Sequence, residues 1–290
     1  MVELFEDITE EENRAREMSQ HQRLEAVGRL AAGIAHEINT PIQYVGDNLE
    51  FLGEAIAVFC ARLDGGESGT SASDDDIAFF IAEAPRAVTQ AREGVDRVAT
   101  IVRAMKAFSH PSTAEKTLRN INQDILNTVT VSRNEWKYVA DVRTELDESL
   151  PPVPCYPGEL NQVYLNLIVN AAHAIGDKVG RNSEEKGLIT IATRQVGQQA
   201  EIRISDTGTG IPESVRDKIF EPFFTTKEVG RGTGQGLAIA RDVIVNKHGG
   251  TITFETREGE GTTFIIRLPL GEPEPQDHDS EKRSRKEEGA

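Results

Sequence analysis

This 290-residue chain has little means of covalent or metal cross-linking. Its two cysteines, Cys60 and Cys155, stand at no disulfide or metal spacing. That excludes a disulfide-stapled secreted module and a zinc ribbon. Basic charge is scarce as well: 32 Lys and Arg face 48 Asp and Glu, for a formal net charge of −16. Such a balance argues against a non-specific binder of nucleic acid or of anionic membranes. No apolar run approaches about 18 residues, so no membrane span is expected. The acidic N-terminus lacks the apolar core of a signal peptide, and the cytoplasm is the expected compartment. Aromatic residues make up only 6%, and 38% hydrophobic residues stand beside 28% charged ones. That suits long polar helices better than one large core. At about 150 residues per domain, the length predicts two domains.

What is present falls into two halves. Val2-Glu-Leu-Phe-Glu-Asp-Ile-Thr9 alternates like a strand and stops, so residues 1–9 read as the stub of an upstream domain, and Phe5-Glu-Asp-Ile-Thr9 resembles the end of a PAS domain. From Ile38 the apolar residues Ile42, Val45, Leu49, Leu52, Ile56 and Phe59 follow at steps of four and three. A turn-rich loop over residues 64–76 leads to a second such series, Ile77, Ile81, Ala84, Val88, Ala91, Val95, Val98, Val102 and Met105. This is the spacing of a bundle seam. Two long amphipathic helices over residues 10–112 make a hairpin, and two copies should form a four-helix dimer. A plain structural coiled coil is the bland alternative.

After a linker at 113–119, residues 120–270 change pattern. Strands are predicted over 117–122, 139–146, 188–193, 201–205, 251–256 and 263–268. Helices are predicted over 125–136, 158–175 and 236–247. The order lacks the regular alternation of a doubly wound sheet, and the predicted class is an α/β sandwich of mixed order. The mixed-charge tail 271–290 is expected to be disordered.

Four clusters in this half carry chemistry. In Asn166-Leu-Ile-Val-Asn170 two amides share one helix face, and an Asn carbonyl is a hard oxygen suited to Mg²⁺. In Asp206-Thr-Gly-Thr-Gly210-Ile-Pro a carboxylate able to accept from an amino group is followed by glycines that permit close backbone approach. Phe220-Glu-Pro-Phe-Phe-Thr-Thr-Lys227 places three aromatics in a Gly-rich region, either as a flap or as core plugs. Gly232-Thr-Gly-Gln-Gly236-Leu opens a helix whose amides can face an anion, without the Lys-Ser/Thr of a Walker loop. Each is weak alone.

In this order and spacing the four clusters resemble the N, G1, F and G2 boxes of the histidine-kinase ATP-binding domain, which shares its fold with gyrase, heat-shock protein 90 and mismatch-repair ATPases. The resemblance implies ATP and Mg²⁺ as ligands and assigns roles by position. Asn170 would hold Mg²⁺, with Asn166 beside it at the phosphates. Asp206 would bind the adenine amino group, with Gly208 and Gly210 shaping the pocket. Gly232, Gly234 and Gly236 would wrap the triphosphate together with Thr233 and Leu237. Thr225, Thr226, Lys227 and Arg231 are candidate phosphate partners. His173 occupies a place where some relatives carry a phosphate-touching Lys, and Gln235 replaces a common Leu.

The first half carries Gly28-Arg-Leu-Ala-Ala-Gly-Ile-Ala-His36-Glu-Ile-Asn-Thr-Pro41, which resembles the H box of the same family. His36 lies about 200° around the helix from Ile34 and from Ile38, so it faces solvent when they face a core. The resemblance makes His36 the phosphoacceptor. Glu37 would bond one imidazole nitrogen and take the proton as the other attacks the γ-phosphate. Thr40, one turn on, would help dephosphorylate a partner, and Pro41 would kink the helix. The implied protein is a homodimeric sensor histidine kinase core that passes phosphate to an aspartate of a response-regulator receiver domain. A conformational ATPase of the same fold would lack the His36–Glu37 helix. A non-enzymatic dimer scaffold would show broken boxes, and none is broken. A serine-type kinase of the same fold would differ in its phosphoamino acid.

Overall fold

A computed structural model describes residues 2–63, 73–109, 115–180, 185–227 and 234–271, and the side chains of 2–32 and 107–109 lie outside that description. Helix α1 runs through Val2–Leu63. The strand expected at Val2–Thr9 is therefore helix. A lone strand leaves its backbone groups unpaired, whereas a helix satisfies them from within and propagates cheaply once nucleated. α1 continues through Pro41. At the residue before it, the Thr40 hydroxyl donates to the His36 carbonyl one turn back at 3.0 Å.

Helix α2 spans Asp74–Ser109. It begins inside the stretch read as loop because Ser73 and Asp76 form a reciprocal cap. Asp76 N–H donates to Ser73 Oγ (3.1 Å) and Ser73 N–H to Asp76 Oδ2 (3.0 Å). Asp74, Asp75 and Asp76 also suit the positive end of the helix dipole. The two helices cross closely at Gly94, where a Cβ would fall 2.5 Å from Val45 Cγ2. Among the described residues no helix is long and apolar enough to cross a membrane.

The second unit opens with β1 (Thr117–Arg119), which pairs antiparallel with β3 (Val153–Cys155). β1 thus lies within the stretch read as linker. It stops at Arg119 because the Asn120 side chain accepts from the N–H groups of Asn122 and Gln123 and caps α3 (Ile121–Val131). A break at Ser132 separates α3 from the single turn α4 (Arg133–Trp136). Then come β2 (Ala140–Glu145), α5 (Pro157–Val179), β4 (Gly187–Val196) and β5 (Gln199–Asp206). Helix α6 (Gly236–Arg241) passes into a π-helical stretch, Asp242–Lys247, before β6 (Thr251–Arg257) and β7 (Gly261–Pro269). The sheet order is β2-β4-β5-β7-β6, with β2 parallel to β4 and the other pairs antiparallel. The α/β sandwich expectation holds. Ile189, Ile191, Ile202, Ile204 and Ile266 on the sheet pack against Leu160, Val163, Leu167, Ile168 and Ile175 of α5.

One buried histidine ties the end of the π-helical stretch to this core. His248 Nδ1 lies 2.7 Å from the Val243 carbonyl, and Nε2 accepts the Tyr156 N–H at 3.0 Å. Both bonds need the neutral ring with its proton on Nδ1. Burial lowers the His248 pKa below its ordinary value, and the Val243 bond opposes this only in part. A histidine whose folded pKa lies below its unfolded one gives stability that is full above the unfolded pKa and lost as pH falls. His248→Gln is expected to cost about 1–3 kcal/mol at pH 7.5. The gap to the wild type should narrow by pH 5 in urea titrations, and an unchanged gap would refute the neutral-ring requirement.

Candidate active site

Helix α5 presents an amide face toward the start of α6. Gln162 Nε2 donates to Asn166 Oδ1 (3.1 Å), and Asn166 Nδ2 donates to the Gly236 carbonyl (3.1 Å). One turn further, Asn170 Oδ1 accepts from Lys227 Nζ at 3.0 Å. The same ammonium sits 2.9 Å from His173 Nδ1. The spacing of four places Gln162, Asn166 and Asn170 in a row, because residues four apart stack on one helix face. Asn166 Nδ2 and Asn170 Oδ1 are thus engaged by the segments opposite α5, Gly236 and Lys227.

The second part of the site lies at the end of β5. Asp206 Oδ1 accepts the Gly208 N–H at 2.8 Å. Burial pushes the Asp206 carboxyl up to about 6, although hydrogen bonds from the backbone of Gly208 and Thr262 pull the other way. The loop after it is pinned on both sides. Thr209 N–H donates to the Ala174 carbonyl of α5 (3.3 Å), and Gly259 N–H donates to the Thr209 carbonyl (2.7 Å). The glycines are required by space and by backbone angle. A Cβ on Gly208 would fall 2.6 Å from the Ala174 carbonyl carbon, and Gly210 has φ +69° with the Arg257 carbonyl oxygen 2.3 Å from its Cβ position. α5 thus links the Asn170 group to the Asp206 loop.

Around the flap, Thr225 Oγ1 accepts the Lys227 N–H (3.1 Å), and Thr226 is exposed. Of the three aromatics, Phe220 and Phe224 pack against the core, while Phe223 is 72% exposed with φ +65°. The plug reading holds for Phe220 and Phe224. Gly234 sits against the Phe223 backbone, and Leu237 packs on the core. Arg231, Gly232 and Thr233 lie outside the described residues.

On α1, Ile34 is buried, Ile38 half-buried and His36 exposed, as the helical wheel requires. Glu37 departs from expectation. It is buried and ion-paired to Arg97, Arg133 and Lys137. The physical reason is angular: adjacent helix residues point about 100° apart, so Glu37 faces the second unit while His36 faces solvent. Sequence reasoning missed these three cations and also Gln162. The i, i+4 relation of Gln162 to Asn166 could have shown it. No local signal shows that Arg133 and Lys137 meet a residue about a hundred positions away.

Residues 156–272 match the model of the histidine kinase-, DNA gyrase B- and HSP90-like ATPases. The chain is 32% identical over 254 residues to the sensor histidine kinase ZraS of Escherichia coli strain K12, covering 88% of this chain and 48% of ZraS. It is 32% identical over 281 residues to the sensor kinase CckA of Brucella abortus strain 2308, covering 91% of this chain and 26% of CckA. The chain carries a domain of the histidine kinase-, DNA gyrase B- and HSP90-like ATPase family, and its curated relatives are sensor kinases. It spans about half or less of the length of these curated relatives. The nucleotide-free catalytic domain of histidine kinase ThkA is 34% identical, covering 54% of this chain and 96% of that one, with a TM-score of 0.47. The matched segment, residues 156–272, holds α5, the Asp206 loop and α6.

Proposed function

We propose that this chain binds Mg-ATP in the α5–β5–α6 site, autophosphorylates His36 and passes the phosphoryl group to an aspartate of a response regulator. The observation that carries the reading is the exposed His36 on a long helical hairpin that continues, in the same chain, into an amide face closed by a lysine. In the reaction, a neutral His36 nitrogen forms the N–P bond. The bond from the γ-phosphorus to the bridging oxygen breaks, and its electron pair leaves with ADP. The proton on the other ring nitrogen goes to a carboxylate, for which Glu37 is the candidate. Thr40 is the candidate for orienting water when phosphate is removed from the partner.

The residues present fit a cation at Asn170. Its Oδ1 already accepts from an ammonium. Among the described residues no group of three or more His, Cys, Asp or Glu side chains is placed for a metal. A divalent ion at Asn170 would therefore draw its remaining ligands from phosphate oxygens and water. Bound Mg²⁺ would supply charge neutralisation at the phosphates. Lys227, 3.0 Å from the Asn170 oxygen with His173 beside it, would lie close to the same phosphates, which supports the assignment of both. The test is incorporation of label from γ-labelled Mg-ATP as acid-labile, alkali-stable phosphate that His36→Gln abolishes.

The reading includes a homodimer. Ile42, Leu49 and Ile56 on α1 recur every seven residues, as do Ile81, Val88, Val95 and Val102 on α2. All seven are 47–62% exposed in the single chain. Fully burying such a side chain contributes about 1.5–3 kcal/mol, so a second copy laid on this double stripe removes a large penalty. Leu49→Glu with Val95→Glu is expected to weaken dimerisation by about 100-fold or more, because each charge would enter an apolar seam. Sedimentation should show monomers that still bind ATP. A variant that stays dimeric would move the interface elsewhere.

A further inference from the structure

Glu37 is the point where the bundle and the catalytic unit grip each other. Its Oε2 accepts from Arg97 Nη2 of α2 (2.9 Å) and from Arg133 Nη1 of α4 (2.8 Å), and its Oε1 accepts from Lys137 Nζ. Arg97 belongs to the bundle, Arg133 and Lys137 to the catalytic unit. Apolar packing surrounds the clamp. Ile34, Ile101 and Ala104 of the hairpin join Val131 of α3 and Leu165 of α5 in one small core. α4 lies so close to α1 that a Cβ on Gly33 would fall 2.7 Å from Asn134 Nδ2. Beside the clamp a cavity of about 430 Å³, lined in part by Glu37, Arg97, Thr100, Arg133 and Trp136, leaves the contact incompletely packed.

This arrangement sets the Glu37 carboxylate against its expected duty. Burial alone would raise its pKa, but hydrogen bonds from Lys137, Arg97 and Arg133 overcome that and hold it at about 2. A carboxylate so held is a poor proton acceptor. It also points about 100° away from the neighbouring His36 ring, and three cations keep it from swinging back. The arginine side chains are each 40% exposed, so water can take over their hydrogen bonds when the clamp opens. We propose that Arg97, Arg133 and Lys137 are positioning residues that hold the docked chain silent by keeping the Glu37 carboxylate off His36, so that phosphoryl transfer requires α4 to leave α1. This rests on the reading of His36 as phosphoacceptor.

The test uses the full chain carrying Arg133→Ala and Lys137→Ala. Initial autophosphorylation at saturating Mg-ATP is expected to rise about five- to tenfold. ATP affinity should not change, since neither residue lies on the α5 amide face or the Asp206 loop. Arg133→Lys with Lys137 intact should restore the slow rate. Spin labels at Gln43 of α1 and Asp141 of β2, in a background with Cys60 and Cys155 replaced, should report one distance in the parent and a longer, broader distribution in the double variant. A wider distribution with an unchanged or lower rate would overturn the proposal, because the clamp would then be only a joint. An unchanged distribution would overturn it as well. Should the distance respond while neither protein gains phosphate, the failure would lie in the phosphoacceptor reading, and the silent state would fall with it.

Discussion

Asp206→Asn is expected to weaken ATP binding about 10- to 150-fold, the loss that follows when a hydrogen bond to a charged group is removed. The carboxylate is buried at the end of β5 with Gly208 N–H on Oδ1, and its remaining lone pairs can accept from the adenine amino group. Asparagine keeps one acceptor and turns the other into a donor, which would meet that amino group donor to donor. The same change should not destabilise the apo fold. The folded pKa, about 6, lies above the ordinary value of 3.8. The folded state therefore binds this proton more tightly than the unfolded state does, and the ionised carboxylate costs stability that is recovered as pH falls through about 6 toward 4. A neutral isostere removes that cost, so the variant should melt at or above the parent temperature at pH 7.5. Binding lost together with stability would mean damage to the loop and not loss of a contact. In the parent, ATP affinity should fall as pH drops through about 6, when the acceptor becomes protonated. Calorimetric titrations between pH 5 and 8 would show this, and a flat profile would refute the adenine assignment.

What could be read from the sequence was local. The seam of Ile42, Leu49 and Ile56, the row of Asn166 and Asn170, and the Asp206 loop each depend on residues within two or three turns, where period and turn chemistry decide the outcome. The errors share a cause. Val2–Thr9 alternates like a strand, but a strand needs an edge to pair with, and pairing is not a local property. The cap at Asn120 cut the predicted strand short through one side chain. For Glu37 the sequence offered only its neighbour His36, and the fold adds Arg133 and Lys137 from the catalytic unit, partners that no local pattern reveals. The residues of the nucleotide site are contributed by a few segments with strong patterns, so they were legible. The inter-unit contact is built from ordinary surface-type residues, Arg97, Arg133 and Lys137, and becomes visible only when three helices are placed together.

His36→Gln is expected to reduce phosphate incorporation to background while leaving ATP binding and dimerisation unchanged. The reasoning separates the nucleophile from everything that supports it. His36 is exposed on α1, so glutamine there removes no packing and opens no cavity, and surface substitutions of this kind usually change stability by about 0.5 kcal/mol or less. The nucleotide contacts lie on α5, β5 and α6, and Asp206 and Asn170 keep their partners. What is lost is the ring nitrogen that forms the N–P bond, and an amide nitrogen, its lone pair delocalised, does not replace it. Neither of the other two histidines with described side chains offers a ready substitute. His248 has both nitrogens engaged with Val243 and Tyr156, and His173 Nδ1 is held by the Lys227 ammonium inside the phosphate site itself. Acid-labile label that survives in His36→Gln would therefore move the acceptor to another residue. Loss of label together with loss of ATP affinity would place His36 in the nucleotide site. Only loss of label with affinity and dimer intact fits a phosphoacceptor displayed on the bundle.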